Sequence, residues 1–357
     1  MNSSCRMKLN LKNITAVITG GFAVFAMFFG AGNLVFPLLA GKTATSSFLL
    51  AFSGLCLTGI LVPFLGLVGI LLYNGCYQEF FRRFGKTPAF ILIFFMLLLL
   101  GPFGVLPRCI TVAYGSLAVL EPTFSLTNFS LIMSSVVFCL CLNQTQVVPL
   151  LGAILAPAKI LSVGFILLFG FLFASAPQQT LMTSSDVLLD GALKGYQMMD
   201  LIAGFFFATV IARHFKLKFE EQEDAQSHSF NLSLYAILLG SGLLTVVYLA
   251  LVYLGAVFSQ DLSQNAPEQF LSVIAYLTLG DFAGRIVTVA IILSCLTTIV
   301  ALTTVFTDFL HEQIFKARLH RLICLAFTIL GMFLISTLGL SLITLFEGLT
   351  PHFNHII

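Results

Sequence analysis

The stretch FFGAGNLVFP, Phe28 to Pro37, lies inside a long apolar run, yet its residue types suit an interrupted helix. Gly30 and Gly32 let the backbone unwind and approach a neighbour closely. Asn33 offers a side-chain donor and acceptor to a freed backbone group or to a ligand. Pro37 removes a donor and loosens the turn before it. A seam of small residues between packed helices is the competing reading, because GAG also permits close approach. A second stretch, DGALKGYQMMD at 190–200, sets Gly191, Gly195, Tyr196 and Asp200 at the opening of another apolar run. Unwound carbonyls could face a cation or an ammonium group, and the half-helix N-termini a carboxylate. The chemistry these residues suit is the binding of a carboxylate and of a cation or an ammonium group.

Charged groups inside the apolar runs sharpen this picture. GPFGVLPR, 101–108, places Arg108 beside two prolines and two glycines, and APAKI, 156–160, places Lys159 within another run. A basic residue at the centre of a spanning helix costs roughly 2.5–3.5 kcal/mol on insertion scales. Such residues are expected to face an interior cavity or a partner, with Asp200 and Asp308 as candidate partners. The alternative is a position near the membrane surface, where a long side chain reaches water. SCLTTIVALTT, 294–304, carries hydroxyls at Ser294, Thr297, Thr298 and Thr303 at helical spacing. Hard cations prefer oxygen ligands, so this stretch could serve sodium, although such hydroxyls often bond their own helix. The chain has no HExxH, no GxSxG and no paired catalytic carboxylates in its apolar runs, and no histidine at mid-membrane. An enzyme is not expected. His352 and His355 resemble HxxH but are expected to lie in a frayed terminus.

The elements that must position these groups are membrane spans. Of 357 residues, 59% are hydrophobic and 9% charged, against about 25% charged in soluble domains. A span needs about 20 apolar residues, and ten segments can be drawn. They lie near 14–39, 47–73, 89–119, 129–148, 150–175, 187–212, 230–258, 285–310, 319–337 and 339–357. The interruptions fall in the first and sixth. Five spans per half invert the second half relative to the first, and paired interruptions in corresponding segments point to a transporter binding site.

Basic residues orient the spans. With a cytoplasmic N-terminus, Arg6, Lys8, Lys12, Arg82, Arg83, Lys86, Arg213, Lys216, Lys218, Lys316, Arg318 and Arg321 fall on the cytoplasmic side. Lys42, Lys194 and Arg285 fall outside, as the positive-inside rule requires. The polar stretch 213–228 is expected to be a cytoplasmic loop. The basic N-terminus resembles a signal peptide but reads as a retained first span. None of the eight cysteines falls in an external loop, so no disulfide framework is expected. Cys139 and Cys141 should point to different helix faces.

Several motifs in order resemble those of the branched-chain amino acid:cation symporters. They are FAMFFGAGNLVFP, GPFGVLPR, LAPAKI, KGYQMMD, SCLTTIVALTT and STLGLSLI, between about residues 12 and 345. The resemblance implies an all-α polytopic membrane protein with the inverted-repeat five-plus-five fold of the amino acid, polyamine and organocation transporters. It implies one transmembrane domain over 1–357. The first repeat would run over about 12–175 and the second over about 186–357, its completeness left open. Family members typically have twelve spans and carry an acidic residue in the third span, where this chain has Tyr114 and Gly115. The tail FEGLTPHFNHII also departs from the proline-rich tenth span that the resemblance implies, which is why the completeness of the second repeat is left open.

The resemblance implies roles for matching residues. Phe28, Gly30, Ala31, Gly32 and Asn33 would meet the backbone groups of an amino acid. Gly195, Tyr196, Gln197 and Met199 would line its side-chain pocket. Carbonyls near Ala26 and Phe29, with the hydroxyls of Thr297 and Thr298, would hold sodium. Arg108, Lys159 and Asp200 would be coupling or structural charges. The implied function is uptake of leucine, isoleucine and valine by symport with sodium across a bacterial cytoplasmic membrane. The alternatives are proton coupling, another apolar amino acid such as methionine, or an inactive or partner-dependent subunit. No resident cofactor is expected. The expected partners are a small apolar amino acid and the lipid bilayer, with no nucleic acid, and the oligomeric state is left open.

Overall fold

Backbone N–H and C=O groups in lipid must find partners within the protein, and helices provide them locally. The computed structural model describes residues 11–142, 156–173, 176–180, 182–218 and 225–338, and its elements are all helical. The expected tenth span at 339–357, His352 and His355, the first three basic positions' N-terminal pair Arg6 and Lys8, Cys5, and the acidic part of 213–228 lie outside the described residues. So does the side chain of Lys159, although its backbone lies in a helix.

The first span is broken where the glycines predict. Helix α1 (Leu11–Phe28) and helix α2 (Ala31–Ala44) are separated at Phe29 and Gly30. A corner at Thr45, with φ of 46°, turns α2 straight into the second span. That span is α3 (Phe48–Cys56) and α4 (Val62–Leu71), joined through a π-helical turn at Leu57–Leu61. After a short α5 (Tyr77–Phe81), the third span is α6 (Lys86–Leu100) and α7 (Val105–Ala118). The GPFG turn at 101–104 interrupts it, since Pro102 brings no N–H to continue the helix. The fourth and fifth spans are α8 (Leu126–Leu142) and α9 (Ala156–Leu172).

The sixth span is α10 (Ser184–Gln197) and α11 (Asp200–Lys218), with a bend of 41° between them. Met199 at the break has φ of 63°, a left-handed conformation uncommon for a side chain of this size. The seventh span is α12 (Ala225–Val257). Helix α13 (Phe270–Phe309) changes direction at Gly280, whose φ of 75° suits glycine, and its longer arm is the eighth span. The ninth is α14 (Arg321–Ser336).

The packing repeats across the two halves. Both arms of the broken first span pack on α12 of the seventh, and both arms of the broken sixth span pack on α3 and α4 of the second. The third span packs on the eighth and the fourth on the ninth. Exchanging spans 1–5 with 6–10 maps these pairings onto one another, as the five-plus-five inverted-repeat fold requires. Glycines close both broken-span seams. A Cβ on Gly41 would lie 1.8 Å from the Val252 carbonyl oxygen, and one on Gly255 2.1 Å from that of Leu38. A Cβ on Gly191 would lie 2.1 Å from the Ala51 carbonyl oxygen, and one on Gly54 2.2 Å from that of Leu188.

The periphery is apolar. Leu65, Leu72, Val246 and Phe282 each expose more than half of their surface. Four helical segments among the described residues are long and apolar enough to cross a membrane, and the bent sixth span makes a fifth. The chain is a multi-pass membrane protein. As helical spacing requires, Cys139 is exposed and Cys141 buried.

Candidate functional site

A broken helix leaves unpaired carbonyls on one side and unpaired N–H groups on the other. In the interior of a membrane protein these must be met by fixed polar groups, and the chain meets them with its own side chains. At the first break, the Gly30 N–H would serve the Ala26 carbonyl in a continuous helix. It turns instead to the Phe28 carbonyl at 2.6 Å and to Asn33 Oδ1 at 3.2 Å. The Ala26 carbonyl thereby loses its helical donor. Gly30 itself is extended, with φ of −104° and ψ of −163°.

At the second break the two ends receive opposite charges. Arg108, from α7, is 1% exposed. Its Nη1 donates to the Gln197 carbonyl at 2.8 Å and its Nη2 to the Met198 carbonyl at 3.2 Å. A cation at a helix C-terminus also complements the helix dipole. The guanidinium lies over the Phe36 ring, 5.4 Å from its centroid, so its position is fixed by stacking as well. Asp200 opens α11, where a carboxylate faces the positive end of the helix.

The two breaks meet through Asn33 and Asp200. Asn33 Nδ2 donates to Asp200 Oδ2 at 2.6 Å. Tyr248, from the seventh span, donates its hydroxyl to the same Oδ2 at 3.0 Å and also contacts Asn33 Nδ2. All three side chains are buried, Tyr248 completely. Gly32 leaves the space for this arrangement. A Cβ there would lie 3.0 Å from Arg108 Nη2 and 3.4 Å from the Met198 Cα.

Hydroxyls of the eighth span approach the first break. A Cβ on Gly30 would lie 3.4 Å from Thr298 Cγ2 and 3.6 Å from its Oγ1. In this state Thr297 and Thr298 both donate to the Ser294 carbonyl, at 2.7 and 3.3 Å. Their hydroxyl oxygens keep lone pairs for a ligand. Ser294 lines a narrow crevice with Phe29, Leu34, Val163, Ile166 and Ile291, with room for about 10 Å³.

The structure thus gathers Phe28, Phe29, Gly30, Ala31, Gly32 and Asn33 with Arg108, Gln197, Met199, Asp200 and Thr298 in one buried region. Two expected pocket residues sit differently. Gly195 is pressed against the second span, where a Cβ would lie 2.3 Å from Thr58 Oγ1, so it serves packing. Tyr196 is 52% exposed. Asp308 is not the partner of Arg108, because Arg321 Nε holds it at 2.8 Å. Arg108 is no surface-reaching side chain, because it is enclosed. Tyr248 was not legible as a site residue. It is one of three tyrosines in the long helix α12, with Tyr235 and Tyr253, and nothing in its neighbourhood in the sequence distinguishes it.

Comparison with known proteins agrees with the fold. The family model described as branched-chain amino acid transport protein matches residues 13–347. The branched-chain amino acid permease BraB of Bacillus subtilis is 29% identical over 338 residues, spanning 92% of this chain and 74% of the relative. The permease BrnQ of Corynebacterium glutamicum is 28% identical over 308 residues, spanning 85% and 70%. These relatives are transporters, not enzymes. A crystal structure of the Eremococcus coleocola manganese transporter aligns with a TM-score of 0.57 at 16% identity, over 95% of this chain and 72% of that one. At that identity the likeness speaks to fold alone. Residues 13–347 carry the family's pattern, so the chain belongs to the branched-chain amino acid transport protein family.

Proposed function

We propose that this protein takes up leucine, isoleucine and valine by sodium symport, through alternating access around the two helix breaks. The observation that carries this reading is the meeting of the first- and sixth-span breaks at Asn33 and Asp200. Backbone of this kind is tolerated at membrane depth where it lines a site. The names of the relatives support the substrate class. Amino and carboxylate groups of the substrate would meet the segment from Phe28 to Asn33. Sodium would sit between carbonyls near Ala26 and Phe29 and the hydroxyls of Thr297 and Thr298, which lie beside Gly30. The bacterial sources of the relatives support a bacterial cytoplasmic membrane location, and the distribution of lysine and arginine supports an N-terminus in the cytoplasm.

The energetics suffice. One sodium ion gains about 2.3 kcal/mol per 100 mV, and a tenfold gradient adds about 1.4 kcal/mol. Together they sustain roughly several hundredfold accumulation. A second reading, proton coupling, is favoured by the buried carboxylate of Asp200. Leucine uptake by proteoliposomes tests both. Uptake that requires an inward sodium gradient at fixed pH and membrane potential supports sodium symport. Uptake driven equally well by a proton gradient without sodium refutes it.

A further inference from the structure

Among the described residues, Arg108 and Asp200 are the two buried charged side chains. They do not pair within 4 Å. The guanidinium is engaged by the Gln197 and Met198 carbonyls, and its field reaches the carboxylate from there. Asp200 is held instead by two neutral donors, both on Oδ2. The groups facing it are few. The third span brings Arg108. The seventh brings Tyr248, and the first brings the neutral Asn33. The second span, 48–71, packs on α11 and contains no charged residue.

We propose that Asp200, clasped by Asn33 and Tyr248, is a proton-binding site whose protonation releases the tie between the two helix breaks. The inference rests on the transport reading, but not on which cation drives uptake. As a carboxylate, Asp200 accepts two charge-assisted hydrogen bonds, which are the strong kind. As a neutral acid it keeps a carbonyl oxygen only as a weaker, uncharged acceptor and has a proton of its own to donate. Tyr248 can accept it, because a hydroxyl both donates and accepts, but the Asn33 Nδ2 group cannot. Protonation therefore weakens the Asn33 contact. The same amide caps the Gly30 N–H through Oδ1. A proton taken up at the sixth-span break is thereby felt in the backbone of the first.

The test is leucine uptake across a pH series at saturating sodium, with infrared difference spectra of the purified protein over the same range. The wild-type chain is expected to run faster on the acidic side and to gain a carboxylic-acid C=O band there. Asp200→Asn, permanently neutral and of the same shape, is expected to lose the Asp200 share of the band and to show uptake independent of pH. If that variant carries no uptake, Tyr248→Phe decides. Loss of one hydrogen bond to the carboxylate is expected to move the wild-type profile toward alkaline pH by about one pH unit. A band undiminished by Asp200→Asn in a Glu268→Gln background, or an unchanged profile in the variants, overturns the proposal. The infrared band needs no substrate. Should the wild-type chain not transport leucine, the substrate reading fails while the proton site is still decided.

Discussion

Gly32→Ala adds one methyl group at the tightest point of the site. Its Cβ would lie 3.0 Å from Arg108 Nη2 and 3.4 Å from both Cζ and the Met198 Cα. Nη2 is the atom that donates to the Met198 carbonyl. It has nowhere to go, because the guanidinium is enclosed and lies on the Phe36 ring. The methyl group therefore displaces a hydrogen bond made by a charged donor. Such bonds contribute about 1.5–3 kcal/mol, which is roughly a 10- to 150-fold loss if the bond is kept in the rate-limiting state. The assay is the initial rate of leucine uptake in proteoliposomes with matched amounts of folded protein. Gly30→Ala meets only ordinary contacts with Thr298 at 3.4 and 3.6 Å and is expected to cost less. Gly242→Ala, which meets nothing within 4 Å, is the control for a glycine-to-alanine change as such. If Gly32→Ala transports within threefold of wild type, or no worse than Gly30→Ala, the argument that Arg108 holds the sixth-span break for transport is wrong.

Thr298→Ala is expected to raise the sodium concentration needed for half-maximal uptake, and an unchanged sodium dependence removes Thr298 from the cation site. Gly191→Leu drives a side chain into the Ala51 carbonyl, so folded protein should be lost, which size-exclusion profiles of the solubilised chain report. Glu268, in the segment between the seventh and eighth spans, packs its stem against Gly115, and burial pushes its carboxyl above the usual glutamate range. The folded chain then holds that proton more tightly than the unfolded chain. Its contribution to stability is fully present below the ordinary glutamate value of about 4.3 and is lost as pH rises through the raised folded value. Glu268→Gln should flatten the fall in Tm across that window, and an unaltered Tm profile would count against the burial argument.

Both helix breaks were legible because glycine, asparagine and an acid are conspicuous in an apolar run. FFGAGN placed the first within a residue or two. KGYQMMD named the second stretch, while the left-handed residue is Met199, at its far end. The sequence also marked Arg108 as interior, since burying a cation demands a partner. It could not say that the partner would be a pair of backbone carbonyls, because carbonyls are present at every residue. Tyr196 shows the opposite limit. It is one residue from the buried Gln197 yet points outward, and only the helix phase before the break decides which of them turns in. The corner at Thr45 was hidden for the same reason, because a positive φ on threonine has no composition signal.

The glycine seams have a mechanical consequence. Spans 1 and 7 touch backbone to backbone, as do spans 2 and 6, so neither pair can slide without lifting apart. Each behaves as one stiff beam, and α2 and α10 join the beams to each other. The third, fourth, eighth and ninth spans form a separate frame through their own contacts. Any tilting of beam against frame is concentrated where the two touch. Arg108 on the carbonyls of the sixth-span break and Thr298 beside Gly30 stand at that boundary, so a structural charge and a hydroxyl proposed for sodium would be the bearings on which such tilting turns.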